Sequence, residues 1–176
     1  SGASSSGSTV AAVATSAVRE AQNAADFLKR AWTEAGIDVQ VIAGHEEARL
    51  IRLGVLQALP LWSSDMVLLD VGGGSTEVVF GKGSDIAYSR SFKLGSLRMT
   101  RSFFPDGIAS ARAVTKCRKS VHGHLAPMMH EVAALPFDVA VASSGTAEAL
   151  AEAAAALFLA AAALALLATG TLLGRS

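Results

Sequence analysis

Apolar residues fall in short blocks separated by glycine and polar breaks, and the spacing within each block predicts its element. Val10 to Ala14 is a short apolar run with the look of a buried strand. Thr15 and Ser16 are the expected N-caps of a helix over Ala17–Ala35, whose stripe is Val18, Ala21, Ala25, Leu28 and Trp32, with Gly36 as its stop. Val39–Ile42 is a second strand, and a second helix begins near His45, carries Ala48, Ile51, Val55 and Leu59 on one side, and ends at Pro60. Met66–Val71 is continuously apolar, the pattern of a central strand buried on both faces. Glu77–Phe80 and Ile86–Phe92 follow across a Gly81-Lys82-Gly83 turn, so the three strands form a meander and not a βαβ unit. A helix over Ser96–Phe104 ends at Pro105, and a longer one spans Ala109 to about Ala134 with Pro127 interrupting it. Val139–Ala142 is one more buried strand, and Ser143 to Thr146 lead into an Ala-rich helix. Meander and βα elements together give an α/β or α+β class with two lobes, bridged by the helix after Gly44.

Composition narrows the function classes. The 176 residues suffice for one large domain or two small lobes. Lysine plus arginine and aspartate plus glutamate number 15 each, and no basic patch stands out, which argues against sequence-independent nucleic-acid binding. A polyanion would have to be held by local geometry instead. Cys117 is the single cysteine, so no internal disulfide forms, as suits a cytoplasmic protein. Ser1–Ser8 is Gly/Ser-rich without a signal-peptide pattern. Ala153–Thr171 is uncharged and long enough for a membrane span, but its alanine content points to a packed helix and not an anchor.

The strongest chemical signal is Asp70-Val71-Gly72-Gly73-Gly74-Ser75-Thr76-Glu77. Consecutive glycines let backbone N–H groups face a bound anion without obstruction, and a carboxylate at a strand end suits a hydrated Mg²⁺ beside it. There is no Gly-Lys-Ser/Thr ending for a P-loop, and Val78-Val79-Phe80 predicts a strand where a dinucleotide fingerprint needs a helix. A tight hairpin that simply needs glycine is the competing explanation. Glu46 and Glu47 at a helix start either complement its dipole or include a general base for water activation. Arg19, in the first turn of its predicted helix, either reaches for an anion or pairs with Glu20 or Asp26. Gly145 and Thr146 are a second anion cradle or a simple cap. His122 and His124 diverge on a helix and do not suggest a metal site.

Five stretches, in order and in register from about Val10 to Leu150, resemble the Ppx/GppA phosphatase family: Val13–Ala21, Val41–Ile51, Asp70–Glu77, Phe92–Thr100 and Ser144–Thr146. The resemblance implies an actin-like ATPase (ribonuclease H-like) fold with two lobes and the site between them. It would divide the chain into a partial first lobe (1–47), a second lobe with the glycine-rich loop (48–150), and an Ala/Leu-rich helix (151–176). The family's first phosphate loop, an Asp-x-Gly-Ser turn, is expected upstream of these residues. By the resemblance, Glu47 activates the attacking water, and Arg19, Gly72, Gly73, Gly74, Ser75, Gly145 and Thr146 bind phosphate. Asp70 and Glu77 position Mg²⁺. The implied activity is hydrolysis of terminal phosphates of inorganic polyphosphate or guanosine pentaphosphate, in a protein that often forms a homodimer. A catalytically incomplete sensor of guanosine tetraphosphate or polyphosphate is the alternative, and a kinase of the same fold is disfavoured by the Glu46-Glu47 pair.

Overall fold

The computed structural model describes residues 11–157 of the 176. The Ser1–Ser8 segment, Val10 and residues 158–176 of the predicted tail lie outside the described residues. Strands β1 (Ala12–Ala14) and β2 (Val39–Val41) pair in parallel, with Ala12 opposite Val39. The single helix expected between them is two: α1 (Ser16–Arg19) and α2 (Ala24–Ala35). Asn23 occupies the non-helical N-cap of α2, a position asparagine favours, and Asp26 complements the dipole of its first turn. Gly36, in the left-handed region at φ 65°, closes α2, with the amides of Gly36 and Ile37 bonding back to Trp32 and Ala31. The predicted α2 stripe is not buried. Trp32 is 62 % exposed, because a two-stranded sheet presents too little surface to cover a three-turn helix.

A second sheet of four strands carries the core, in the order β5-β4-β3-β6. Its strands are β3 (Asp65–Val71), β4 (Thr76–Lys82), β5 (Asp85–Phe92) and β6 (Val139–Ser143). The predicted meander β3-β4-β5 is antiparallel, and β6 joins the other edge of β3 in parallel. Helix α3 (Gly44–Ala58) covers one face, where Ala48 and Leu56 pack with Met66, Leu68 and Val79. On the other face, Met128 and Val132 of α5 (Ala111–Val132) pack with Val67, Val78, Phe80 and Phe92. Alternate residues of β3 thus serve opposite layers, as a strand buried on both faces requires.

Helix α4 (Ser96–Phe103) follows β5, and a helix α6 runs over residues 145–157. Helix α5 runs straight through Pro127, losing one backbone bond there without ending. The buried ridge of α3 is also rotated from the predicted Ala48, Ile51, Val55 and Leu59. It contains Ala48, Arg52 and Leu56, whereas Leu59 is exposed. Arg52, 2 % exposed, earns its place by donating from Nη2 to the carbonyls of Gly83 (2.8 Å) and Asp85 (3.3 Å) in the β4–β5 turn. Among the described residues no helix is long and apolar enough to cross a membrane.

Two glycines test this packing in opposite directions. A Cβ on Gly95 would strike the backbone of Gly73 and Gly74, whereas one on Gly54 of α3 would meet nothing within 4 Å. Gly95→Ala should therefore destabilise the chain by about 1–3 kcal/mol or more, and Gly54→Ala should stabilise it by about 0.5–1 kcal/mol. Urea midpoints of the two variants check both signs.

Candidate functional site

The strand pairing places four polar residues in one rank across the sheet: Ser143 of β6, Asp70 of β3, Glu77 of β4 and Ser91 of β5. By strand parity Asp70 shares the α3 face with Met66 and Leu68, and Glu77 shares it with Val79. Each carboxylate is held by its outer neighbour. Ser143 Oγ donates to Asp70 Oδ2 at 2.5 Å, and Ser91 Oγ donates to Glu77 Oε1 at 2.7 Å. Glu77 is 2 % exposed. Burial pushes its pKa up, the hydroxyls of Ser91 and Ser75 oppose that, and the nearby charges of Glu47 and Asp70 add to the rise. Two carboxylates directly opposite each other on paired strands repel.

Residues 72–75 leave β3 and return as β4, and α4 grips this loop from behind. Ser96 N donates to Gly72 O (2.9 Å), Arg98 N to Gly73 O (3.1 Å), and both Gly95 N (3.3 Å) and Arg98 Nε (2.8 Å) to Gly74 O. All three glycine carbonyls are therefore occupied. The amides of Gly73, Gly74 and Ser75, in contrast, donate no hydrogen bond among the described residues. None of these glycines has a positive φ. Side chains stand close to two of them: a Cβ on Gly74 would lie 2.7 Å from Ser16 Oγ, and one on Gly73 2.9 Å from Cδ1 of the exposed Leu97, which can turn aside. A row of free amides with its carbonyls turned away is the arrangement that binds anions.

An open cleft of about 700 Å³ lies in front of this loop. Glu47, Asp70, Gly72, Gly73, Gly74, Ser75 and Glu77 all line it. Gly44 permits the approach of α3, since a Cβ there would lie 2.7 Å from Ser91 Cβ. That contact brings the first turn of α3, with Glu47, over the carboxylate rank. Glu47 Oε2 is buried and accepts no hydrogen bond among the described residues, its nearest cation being Arg19 Nη1 at 3.5 Å. Glu46, by contrast, is turned to solvent and paired with Arg49 at 2.7 Å, whose hydrogen bond lowers its pKa.

Arg19 is the last residue of α1, whose four residues make a single turn, so a helix dipole does not distinguish its position. Its Nη1 donates to Ile42 O at 2.6 Å, and it stands behind Glu47 instead of lining the cleft. Neither Glu20 nor Asp26 pairs with it; Glu20 binds Arg98 (2.9 Å) and Lys93 (3.3 Å). Gly145 and Thr146 also fall outside the cleft lining. Thr146 Oγ1 donates to Ser96 Oγ (3.1 Å), and Ser144, at φ 79°, donates from Oγ to Val71 O (3.1 Å), so this turn braces the loop from the side. Thr15 is the N-cap of α1 but gives no side-chain cap.

Arg98 and Arg101 of α4 line the cleft beside the loop and escaped the residue-by-residue reading. Their i, i+3 spacing just after Gly95 was the available signal. Asp70 and Glu77 suit a hydrated Mg²⁺: both are hard oxygen donors, and a cation would relieve their repulsion. Among the described residues no group of three or more His, Cys, Asp or Glu forms a metal cage.

A model of the Ppx/GppA phosphatase family matches residues 3–159. The chain belongs to the Ppx/GppA phosphatase family. Among curated Ppx/GppA relatives it is 39 % identical over 137 residues to exopolyphosphatase 1 of Mycobacterium tuberculosis, covering 77 % of this chain and 40 % of that protein. It is 33 % identical over 134 residues to the guanosine-5'-triphosphate,3'-diphosphate pyrophosphatase of Photobacterium profundum, covering 76 % and 27 %. The crystal structure of an exopolyphosphatase from Cytophaga hutchinsonii superposes with a TM-score of 0.74 at 31 % identity, over 81 % of this chain and 46 % of that one. The Aquifex aeolicus Ppx/GppA enzyme gives a TM-score of 0.60 at 34 % identity, over 77 % and 44 %. The chain thus spans less than half the length of these relatives. The mixed α/β architecture is that of the family.

The buried Glu77 gives the Ppx/GppA loop a pH signature. With its pKa raised, the folded chain keeps a proton that the unfolded chain has already lost, so stability falls as pH rises out of the ordinary carboxylate range and levels off above the raised value. In metal-free buffer Glu77→Gln should be more stable than the unaltered chain at neutral pH, with the advantage gone below that range. Thermal melts across pH check the sign.

Proposed function

We propose that this chain forms part of a Mg²⁺-dependent hydrolase of terminal phosphoanhydride bonds, acting on inorganic polyphosphate or guanosine pentaphosphate. The names of its exopolyphosphatase and pyrophosphatase relatives support that substrate class. One observation carries the reading: the unbonded amides of Gly73, Gly74 and Ser75 share a cleft with a Glu47 oxygen that accepts no hydrogen bond among the described residues.

In this reading the loop amides hold oxygens of the terminal phosphoryl group, where negative charge is densest. Glu47 Oε2 accepts a proton from a water, whose oxygen attacks the terminal phosphorus. The bridging P–O bond breaks, and the shortened chain leaves with the bonding electrons as the new phosphate forms. Arg19 orients the Glu47 carboxylate through their 3.5 Å contact. A Mg²⁺ held near Asp70 and Glu77 would supply neutralising charge to the phosphate oxygens. Little covalent chemistry falls to the protein; positioning and electrostatics do the rest.

Orthophosphate release from long-chain polyphosphate in the presence of Mg²⁺ tests the proposal. Glu47→Gln should lower turnover by about 10²–10⁴-fold and change polyphosphate affinity little. Turnover unaffected by that change would remove Glu47 from the role of base. Binding without any release by the unaltered chain would favour a sensor of polyphosphate or guanosine tetraphosphate.

A further inference from the structure

Ser16 is 5 % exposed, and its hydroxyl oxygen makes no hydrogen bond among the described residues. A buried hydroxyl without a partner is costly, and such a group in a folded protein calls for an explanation. Capping does not supply one, since α1 has no side-chain cap and its N-cap is Thr15. Ser16 lines the same cleft as the glycine loop. Its Oγ lies 2.7 Å from where a Cβ on Gly74 would stand, so glycine at 74 is what lets this hydroxyl reach the loop backbone. Glu77 is already served by Ser91, and Asp70 by Ser143, so neither carboxylate requires Ser16. What remains is a donor beside a row of unbonded amides.

We propose that Ser16 is a substrate-binding residue whose hydroxyl donates to an oxygen of the phosphoryl group held by Gly73, Gly74 and Ser75. This rests on the phosphate reading of the cleft. The amides approach the anion from the loop side, and Ser16, projecting from α1, closes it from another. A bound phosphoryl oxygen would satisfy the orphaned hydroxyl with a charge-assisted hydrogen bond, stronger than one between neutral groups. Glycine at 74 suits the same site, since a Cβ there would crowd the Ser16 oxygen.

A structural serine and a binding serine respond oppositely to truncation. Ser16→Ala removes an unpaired buried hydroxyl, so the melting temperature without ligand should stay level or rise. Its affinity for orthophosphate, measured by calorimetry with Mg²⁺ present, should weaken by at least about tenfold, as for the loss of a hydrogen bond to a charged group. Ser16→Cys keeps the volume but is a weak donor, and it should lose affinity in the same way. Unchanged affinity in both variants, beside an unaltered chain that binds, overturns the role of Ser16 and leaves the cleft reading standing. Full affinity in Ser16→Cys alone, or affinity lost in step with a lowered melting temperature, shows a packing role and also overturns it. An unaltered chain that takes up no orthophosphate overturns both.

Discussion

The site depends on how the carbonyls of Gly72, Gly73 and Gly74 are disposed of. A peptide group cannot present its N–H and its C=O to the same side, so pinning the carbonyls on one side commits the amides to the other. The start of α4 does the pinning, through the Ser96 and Arg98 amides, the Gly95 amide and the Arg98 guanidinium. Gly95 makes that contact feasible, because a larger residue would collide with the loop it grips. The loop is therefore not a flexible hairpin that merely tolerates glycine. It is a surface whose polarity is set by a neighbouring helix before any ligand arrives, which is the preorganisation that phosphoryl chemistry rewards.

The second constraint is strand parity. Because Met66, Leu68 and Asp70 alternate onto one face, the residues that build the apolar core beneath α3 run directly into the carboxylate rank. Helix α3 bridges the two environments along a single ridge. Ala48 and Leu56 bury against the sheet, while Gly44 sits against Ser91 and brings Glu47 over Glu77 and Asp70. Arg52, in the middle of that ridge, anchors the helix to the β4–β5 turn through backbone carbonyls. The position of the candidate base is thus fixed by packing two turns away, and the repulsion among three carboxylates is borne by the stability of the layer below.

Much of this was legible in the sequence, for identifiable reasons. Continuous apolar character announced β3 as central, and the glycine run between Asp70 and Glu77 announced the turn from β3 to β4. The five stretches shared with the family singled out Glu47, which lines the cleft. The rest was not legible because it needs tertiary knowledge. Nothing local marks Arg52 as buried, because its acceptors lie more than thirty residues away in the chain. The break between α1 and α2 was not visible because nothing in Ala17–Ala35 forbids one continuous helix, and Asn23 caps the second one. Gly145 and Thr146 lie outside the cleft lining, and only the fold shows the Thr146 hydroxyl on Ser96. Ser16 stands in the sequence only as a helix cap and Arg98 only as one of an i, i+3 pair, since their significance comes from facing Gly74 across the fold.

Amide resonances of Gly73, Gly74 and Ser75, followed by NMR while orthophosphate is added with Mg²⁺, test the central claim most directly. The account predicts that these three shift downfield together and saturate, while the amides of Gly95, Ser96 and Arg98, already bonded to the loop, move far less. Saturating shifts centred instead on Gly145 and Thr146, with the loop amides unmoved, would contradict it.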